Sequence, residues 1–228
     1  MDLSDERITM TARLEADSIW LEYGQHRILQ NIYVRVDVGQ VIGLLGRNGY
    51  GKSSLLEIIY GTRSAQNHSV RINGHYVDKL YQRPNTIAFL PQKSFIPGTL
   101  LISEVFGLYG SSVTTATELF PELTDMLPHR FDQLSGGQQR LIETVLVLTS
   151  PTDFVLLDEP FSNVMPLHVE TLKVLISTVK HQKGILLTDH YYRDVLDISD
   201  TVYVLTSGGR TIQLTEPEQQ LQHYGYIR

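Results

Sequence analysis

The chain has 228 residues, 42% hydrophobic and 19% charged, which suits one large domain or two lobes sharing a core and excludes a disordered or collagen-like chain. Its 19 Lys and Arg against 25 Asp and Glu leave a net charge of −6, which weighs against nucleic acid as a partner held by a basic surface. With no cysteine, disulfide frameworks, thiolate zinc sites and thiol nucleophiles are excluded.

No apolar run approaches the roughly 18 residues that span a bilayer. The first residues, Met1 to Arg7, are polar and acidic and lack the apolar middle of a signal peptide. The expectation is a cytoplasmic protein.

In chain order, Ile32, Val34 and Val36 alternate with polar residues and predict an antiparallel strand. Val41 to Leu45 is a continuous apolar run, as are Ile87 to Leu90, Phe154 to Leu157, Ile185 to Leu187 and Val202 to Leu205. Short continuous runs of this kind read as strands of a parallel sheet covered on both faces. After the first run, Leu55, Leu56, Ile58 and Ile59 share a helical face that Gly61 can end. Asn73-Gly74 after Val70 to Ile72 predicts a hairpin turn in an antiparallel layer. From Lys93 to Leu134 strands are weak and Pro97, Pro121 and Pro128 recur, predicting an inserted helical lobe. Leu141, Ile142, Val145 and Leu146 predict one helix, and Leu172, Leu175, Ile176 and Val179 another.

Residues 46–53 read Gly46-Arg47-Asn48-Gly49-Tyr50-Gly51-Lys52-Ser53, which fits G-x-x-x-x-G-K-[ST] between a strand and a helix. Gly46, Gly49 and Gly51 let the backbone curl so that its N–H groups face anionic oxygens, and the following helix adds its positive end. Lys52 brings a full charge to the terminal phosphates, and Ser53 offers a hydroxyl to Mg²⁺. The motif denotes nucleoside triphosphate binding without specifying the reaction. A second glycine turn, Leu134-Ser135-Gly136-Gly137-Gln138, opens the Leu141 helix with Ser135 as its cap. It offers another anion site, although an ordinary capped helix accounts for the same residues.

Together with the loop at Gly46, the run LSGGQ resembles the signature of ABC-type ATPases. The resemblance runs from about Leu14 to Gly209, with the motifs in the family's order. It implies an α/β P-loop NTPase with a RecA-like parallel core, an antiparallel β subdomain and an inserted helical subdomain. Residues 1–228 then form a single nucleotide-binding domain, with 1–92 and 150–228 as core plus β subdomain and 93–149 as the helical lobe.

The resemblance further implies ATP and Mg²⁺ as ligands. It places Gly46, Asn48, Gly49, Gly51, Lys52, Ser53 and Ser54 on the nucleotide, and Tyr23 against the adenine, although an aromatic residue in an alternating strand also serves packing. Asp158, which ends the strand Phe154 to Leu157, becomes a magnesium ligand with Ser53 and Gln92. Glu159 becomes the general base, with His190 and Gln92 contacting γ-phosphate, metal and water. Ser135, Gly136, Gly137 and Gln138 would act in trans, closing the site of a second subunit, so the expected assembly is a homodimer around two ATP. An integral membrane permease is the further partner, placing the chain peripherally on the cytoplasmic face of the membrane.

Two positions depart from the family pattern. Met165 stands where an aspartate is expected after Ser162-Asn163-Val164, which puts coupling between the two sites in doubt. Tyr50 stands where a small residue is expected, and facing outward it could touch a facing subunit. Pro160-Phe161 and His168-Val169 resemble the lipopolysaccharide-export and branched-chain amino-acid groups. The alternatives to a transporter subunit are a soluble ABC ATPase of the iron–sulfur assembly type and, given Met165, a weakly hydrolysing regulatory module.

Overall fold

In the computed structural model, which describes residues 11–227, the antiparallel layer forms first. Strands β1 (Arg13–Tyr23) and β2 (His26–Asp37) pair over their length. In β1 the buried side chains are Leu14 and Ala16, then Ile19 and Leu21. The alternation changes phase at Ser18, whose φ is 54°, and the partner strand changes phase between Leu29 and Ile32 at Asn31, φ 49°. Matching irregularities in both strands keep Leu14, Ala16, Ile19, Leu21, Leu29, Ile32, Val34 and Val36 on one buried face, where a single slip would turn half of them to solvent.

Next come β3 (Val41–Gly46), α1 (Lys52–Tyr60), β4 (Asn67–Ile72) and β5 (His75–Tyr76). Asn73 and Gly74 both take positive φ, 51° and 79°, in the predicted two-residue turn. Gly61 ends α1 in the left-handed conformation. Strand β6 (Ile87–Leu90) leads into the helical lobe, α2 (Ile102–Tyr109), α3 (Val113–Leu119), α4 (Leu123–Met126) and α5 (Gly136–Thr149). Then follow β7 (Phe154–Asp158), α6 (Pro166–Val179), β8 (Gly184–Thr188), α7 (Tyr192–Ile198), β9 (Thr201–Leu205), β10 (Thr211–Gln213) and α8 (Pro217–His223). The polar run Met1 to Arg7 lies outside the described residues.

Two sheets result, a four-stranded one in the order β2-β1-β4-β5 and a six-stranded one in the order β10-β9-β3-β8-β7-β6. All neighbours in the second are parallel except the edge strand β10. Every residue of β3, β7 and β8 is buried, as strands covered on both faces must be. Their side chains alternate between two cores. Val41, Leu45, Val155, Leu157, Ile185 and Leu187 meet the helices of the lobe together with α6. Ile42, Leu44, Phe154, Leu156 and Leu186 meet α1 and the antiparallel sheet.

Helix α5 is more than an amphipathic stripe. Residues from Arg140 to Leu148 are all buried, because the helix lies between β6 and β7 on one side and α2, α3 and α6 on the other. Its end is held by Lys183, whose Nζ donates to the carbonyls of Ser150 and Thr152, the latter at 2.7 Å. A cation suits the negative end of a helix. Burial nevertheless pushes the Lys183 pKa down to about 8. Between pH 8 and the ordinary lysine value of 10.5 the unfolded chain carries the proton and the native one does not, so stability rises with pH across that window. Urea titrations should show wild type gaining stability relative to Lys183→Met from pH 8 to pH 10, with no such trend below pH 7.

Candidate functional site

Most of the residues singled out in the sequence sit at the carboxyl ends of β3, β6, β7 and β8, the edge at which parallel sheets bind ligands. From β3 the chain turns through residues 47–51 into α1. Gly51 is the cap, with φ 99°, and a side chain there would place Cβ 2.7 Å from Ile28 Cγ2, so only glycine fits. No side chain caps α1, which leaves its first N–H groups for a ligand. Lys52 is buried, and its Nζ donates to the carbonyl of Gly46 at 2.7 Å. Burial lowers its pKa, against the attraction of Glu159, Asp158 and Asp189.

Asp158 is 1% exposed. Its pKa is pushed up to about 6, first by burial and then by Glu159, against the hydrogen bond from Ser53 and the charges of Arg140 and Lys52. Its Oδ1 has no hydrogen-bond partner. A buried carboxylate oxygen left unpaired beside a serine hydroxyl is a fitting place for a hard divalent cation that takes its other ligands from phosphate and water. Among the described residues no group of three His, Asp or Glu side chains could hold an ion on protein ligands alone.

Glu159 follows in a left-handed conformation, φ 59°, which costs a residue other than glycine roughly 1–3 kcal/mol. The turn aims its carboxylate at the cleft. Oε1 lies 2.7 Å from His190 Nε2, and Oε2 accepts from the Ser162 hydroxyl at 3.2 Å. The Glu159 N–H donates to the carbonyl of Thr188 at 2.7 Å, tying the ends of β7 and β8 together. Asp189, fully buried, accepts from the N–H groups of Phe161 and Tyr191 at 2.9 and 3.1 Å.

One cleft of about 390 Å³ gathers Tyr23, Ile28, Asn48, Gly49, Gly51, Lys52, Ser53, Ser54, Gln92, Glu159 and His190. Ten of these eleven are residues singled out in the sequence; Ile28 is the addition. Tyr23 is 50% exposed, so it does not serve core packing, and its hydroxyl accepts from Arg63 Nη1. Gly46 contributes its carbonyl to Lys52, and Asp158 lies beneath. Tyr50 is half-buried, its side chain packed against the apolar cluster that holds Leu29 and Leu55.

None of Ser135, Gly136, Gly137 and Gln138 lines that cleft. They open α5 beside a second cleft of about 340 Å³, which shares Gln92, Glu159 and His190 with the first and reaches Gly136. Ser135 and Gln138 form a capping box, with Gln138 Oε1 accepting from the Ser135 N–H and hydroxyl, each at 2.9 Å. Gly137 has a reason beyond open amides, because a Cβ there would lie 2.5 Å from the carbonyl oxygen of Asn163. The signature turn is thus packed against the loop after β7.

Sequence reasoning missed four buried charged residues, Arg140, Glu143, Lys183 and Asp189. Asp189 stood beside the singled-out His190. Arg140 and Glu143 interrupt an apolar helix, which is itself a signal once that helix is known to be buried all round.

The fold and the phosphate loop define a P-loop nucleotide-binding domain. The family model for ABC transporters matches residues 29–162, more than half of the chain, and the chain belongs to that family. A probable ABC transporter ATP-binding protein of Azorhizobium caulinodans is 29% identical over 88% of this chain and 76% of its own length. The lipopolysaccharide export system ATP-binding protein LptB of Haemophilus influenzae is 27% identical over 90% and 91%. Among solved structures, the ATP-binding subunit of an ABC transporter superposes with a TM-score of 0.78 at 24% identity, covering 93% of this chain and 94% of that one.

Lys52→Ala should weaken ATP binding about 10- to 100-fold, the worth of one charge-assisted contact, as read by titration with a fluorescent ATP analogue. Gly137→Ala should cost about 1–3 kcal/mol of stability in urea unfolding, since backbone rather than a flexible side chain opposes the methyl group.

Proposed function

We infer that two copies of this chain close on two ATP molecules and, by hydrolysing them, drive an integral membrane partner. The observation that carries the reading is the Glu159–His190 pair facing the phosphate loop across one cleft, while the Ser135–Gly136 turn of the same chain lies outside it. A site with a base and a lysine on one side is completed by the helix start of a second copy. Relatives named for lipopolysaccharide export and for high-affinity branched-chain amino acid transport support the transport role. Among the described residues no helix is long and apolar enough to cross a membrane, so the path through the bilayer belongs to the partner. The chain then works peripherally on the cytoplasmic face.

ATP is the substrate. The loop amides and Lys52 hold its phosphates, and Tyr23 lies against its base. Ser53 and Asp158, with Gln92 beside them, would hold a magnesium ion, which when bound would neutralise charge on the phosphates. Glu159 orients a water for in-line attack on the γ-phosphorus and takes its proton as the bond to the β-phosphate oxygen breaks, giving ADP and phosphate. His190 keeps the carboxylate of Glu159 turned to that water. Ser135 and Gly137 of the second copy would face the γ-phosphate, so the closed pair is favoured while ATP is intact and loses that contact on hydrolysis.

Glu159→Gln should lower turnover about 10²- to 10⁴-fold, leave Mg·ATP binding intact and accumulate as a dimer in size-exclusion chromatography with Mg·ATP. A variant that hydrolyses at the wild-type rate overturns the role of Glu159, and one that binds Mg·ATP but stays monomeric overturns the pair. Met165, 62% exposed at the position where the family carries an aspartate, favours one further reading, a slow nucleotide-dependent regulator. Wild-type protein that binds Mg·ATP without measurable turnover would establish it.

A further inference from the structure

Arg140 and Glu143 lie one turn apart on α5 and are 7% and 1% exposed. Two opposite charges are rarely kept so dry without a structural use for every polar atom. The Arg140 guanidinium makes no bond to solvent-facing groups. It donates from Nε to the carbonyl of Glu159 at 3.2 Å, from Nη2 to the carbonyl of Asp158, and from Nη1 to the carbonyl of Pro91 at 2.8 Å. Glu143 Oε1 accepts from the Ser94 hydroxyl at 2.7 Å and from the Phe95 N–H at 3.0 Å, while Oε2 lies 3.6 Å from Arg140 Nη1.

The bonds fall on either side of Gln92. The carbonyl just before it is held by Arg140, and the residues two and three beyond it are held by Glu143. Gln92 and Lys93 alone bridge the gap, both exposed. The same arginine holds the peptide that carries Glu159 in its left-handed turn. We propose that Arg140 and Glu143 are positioning residues, a buried clamp through which α5 sets both Gln92 and Glu159 against the nucleotide. Because α5 begins at the Ser135 turn, any shift of that turn on meeting a second copy reaches both side chains through one rigid helix. The hydrogen bonds of the clamp go to residues 91, 94, 95, 158 and 159 rather than to the loop at 46–54, so it governs turnover rather than nucleotide affinity. The proposal rests on the roles given above to Gln92 and Glu159.

The test uses the full chain with Mg·ATP, reading kcat, the Kd for nucleotide and the thermal midpoint for each variant. Arg140→Lys keeps the charge but cannot reach three carbonyls. It should lose about 10- to 100-fold in kcat, the usual cost of an ångström-scale displacement of a catalytic group, with Kd within about threefold of wild type. Ser94→Ala, at an exposed position where folding is not at risk, should lower kcat about threefold to tenfold with Kd unchanged, and Ser94→Thr, which restores the hydroxyl, should recover it. The Ser94→Ala and Glu143→Gln effects on kcat should be non-additive, because both act on one hydrogen bond. Should Arg140→Lys fail to fold, the two Ser94 variants decide. Unchanged kcat in Ser94→Ala, or a Kd that worsens in step with kcat, overturns the clamp. Glu159→Gln run alongside separates the two failures. If it lowers turnover while Ser94→Ala and Arg140→Lys keep the wild-type kcat, the clamp fails and the site stands, whereas undiminished turnover in Glu159→Gln removes the site reading itself.

Discussion

The parallel pairing of β3, β8 and β7 is the constraint on which everything else depends. Backbone bonds set Gly43 opposite Leu187, Leu157 opposite Leu187 and Asp158 opposite Thr188, so β7 and β8 finish together and β3 runs on to Gly46 at the same edge. Each finish hands over a different function, the phosphate loop from β3, the acidic pair from β7 and the histidine from β8. The buried alternation of aliphatic side chains between two cores fixes that register, because slipping one strand by a residue would exchange its two faces. A few ångströms of precision at Glu159 and His190 therefore derive from packing far from the chemistry.

The strand runs, the phosphate loop and the hairpin at Asn73 were legible because each has a local physical cause. Five apolar residues in a row can only be a strand covered on both faces or a helix, and a glycine followed by Lys52 and Ser53 chose the first. The phase change in β1 was not legible, since Ser18 gives no hint that it will adopt positive φ. The lobe boundary blurs for a related reason. Helix α5 belongs by sequence to the inserted segment, yet its side chains fill the core beneath the sheet. Periodicity reports one buried face and is silent when the whole circumference is covered.

Site residues divide the same way. Those in the loop at 46–54 could be named because their chemistry is written in consecutive residues, and the acidic pair and His190 because they end apolar runs. Tyr23, which the family resemblance set against the adenine, does line the cleft, and Tyr50, whose direction the sequence left open, packs half-buried against its own core. Arg140, Glu143 and Asp189 act on main-chain groups that are remote in sequence, 18 to 49 residues away in the cases of Arg140 and Glu143, so no spacing rule reveals them. The buried charges are nonetheless the pieces that join loops to helices, and the charge each one carries is matched by carbonyls, amides or an opposite charge.

The backbone of Glu159 has an evolutionary corollary. A left-handed glutamate is held there against its own preference, and glycine or asparagine would sit in that turn more comfortably. Breeding this protein for heat resistance alone would reward Glu159→Gly, and on the role proposed for Glu159 the sturdier molecule would have lost its base. On that role, keeping the acid at this awkward corner answers to turnover rather than to stability.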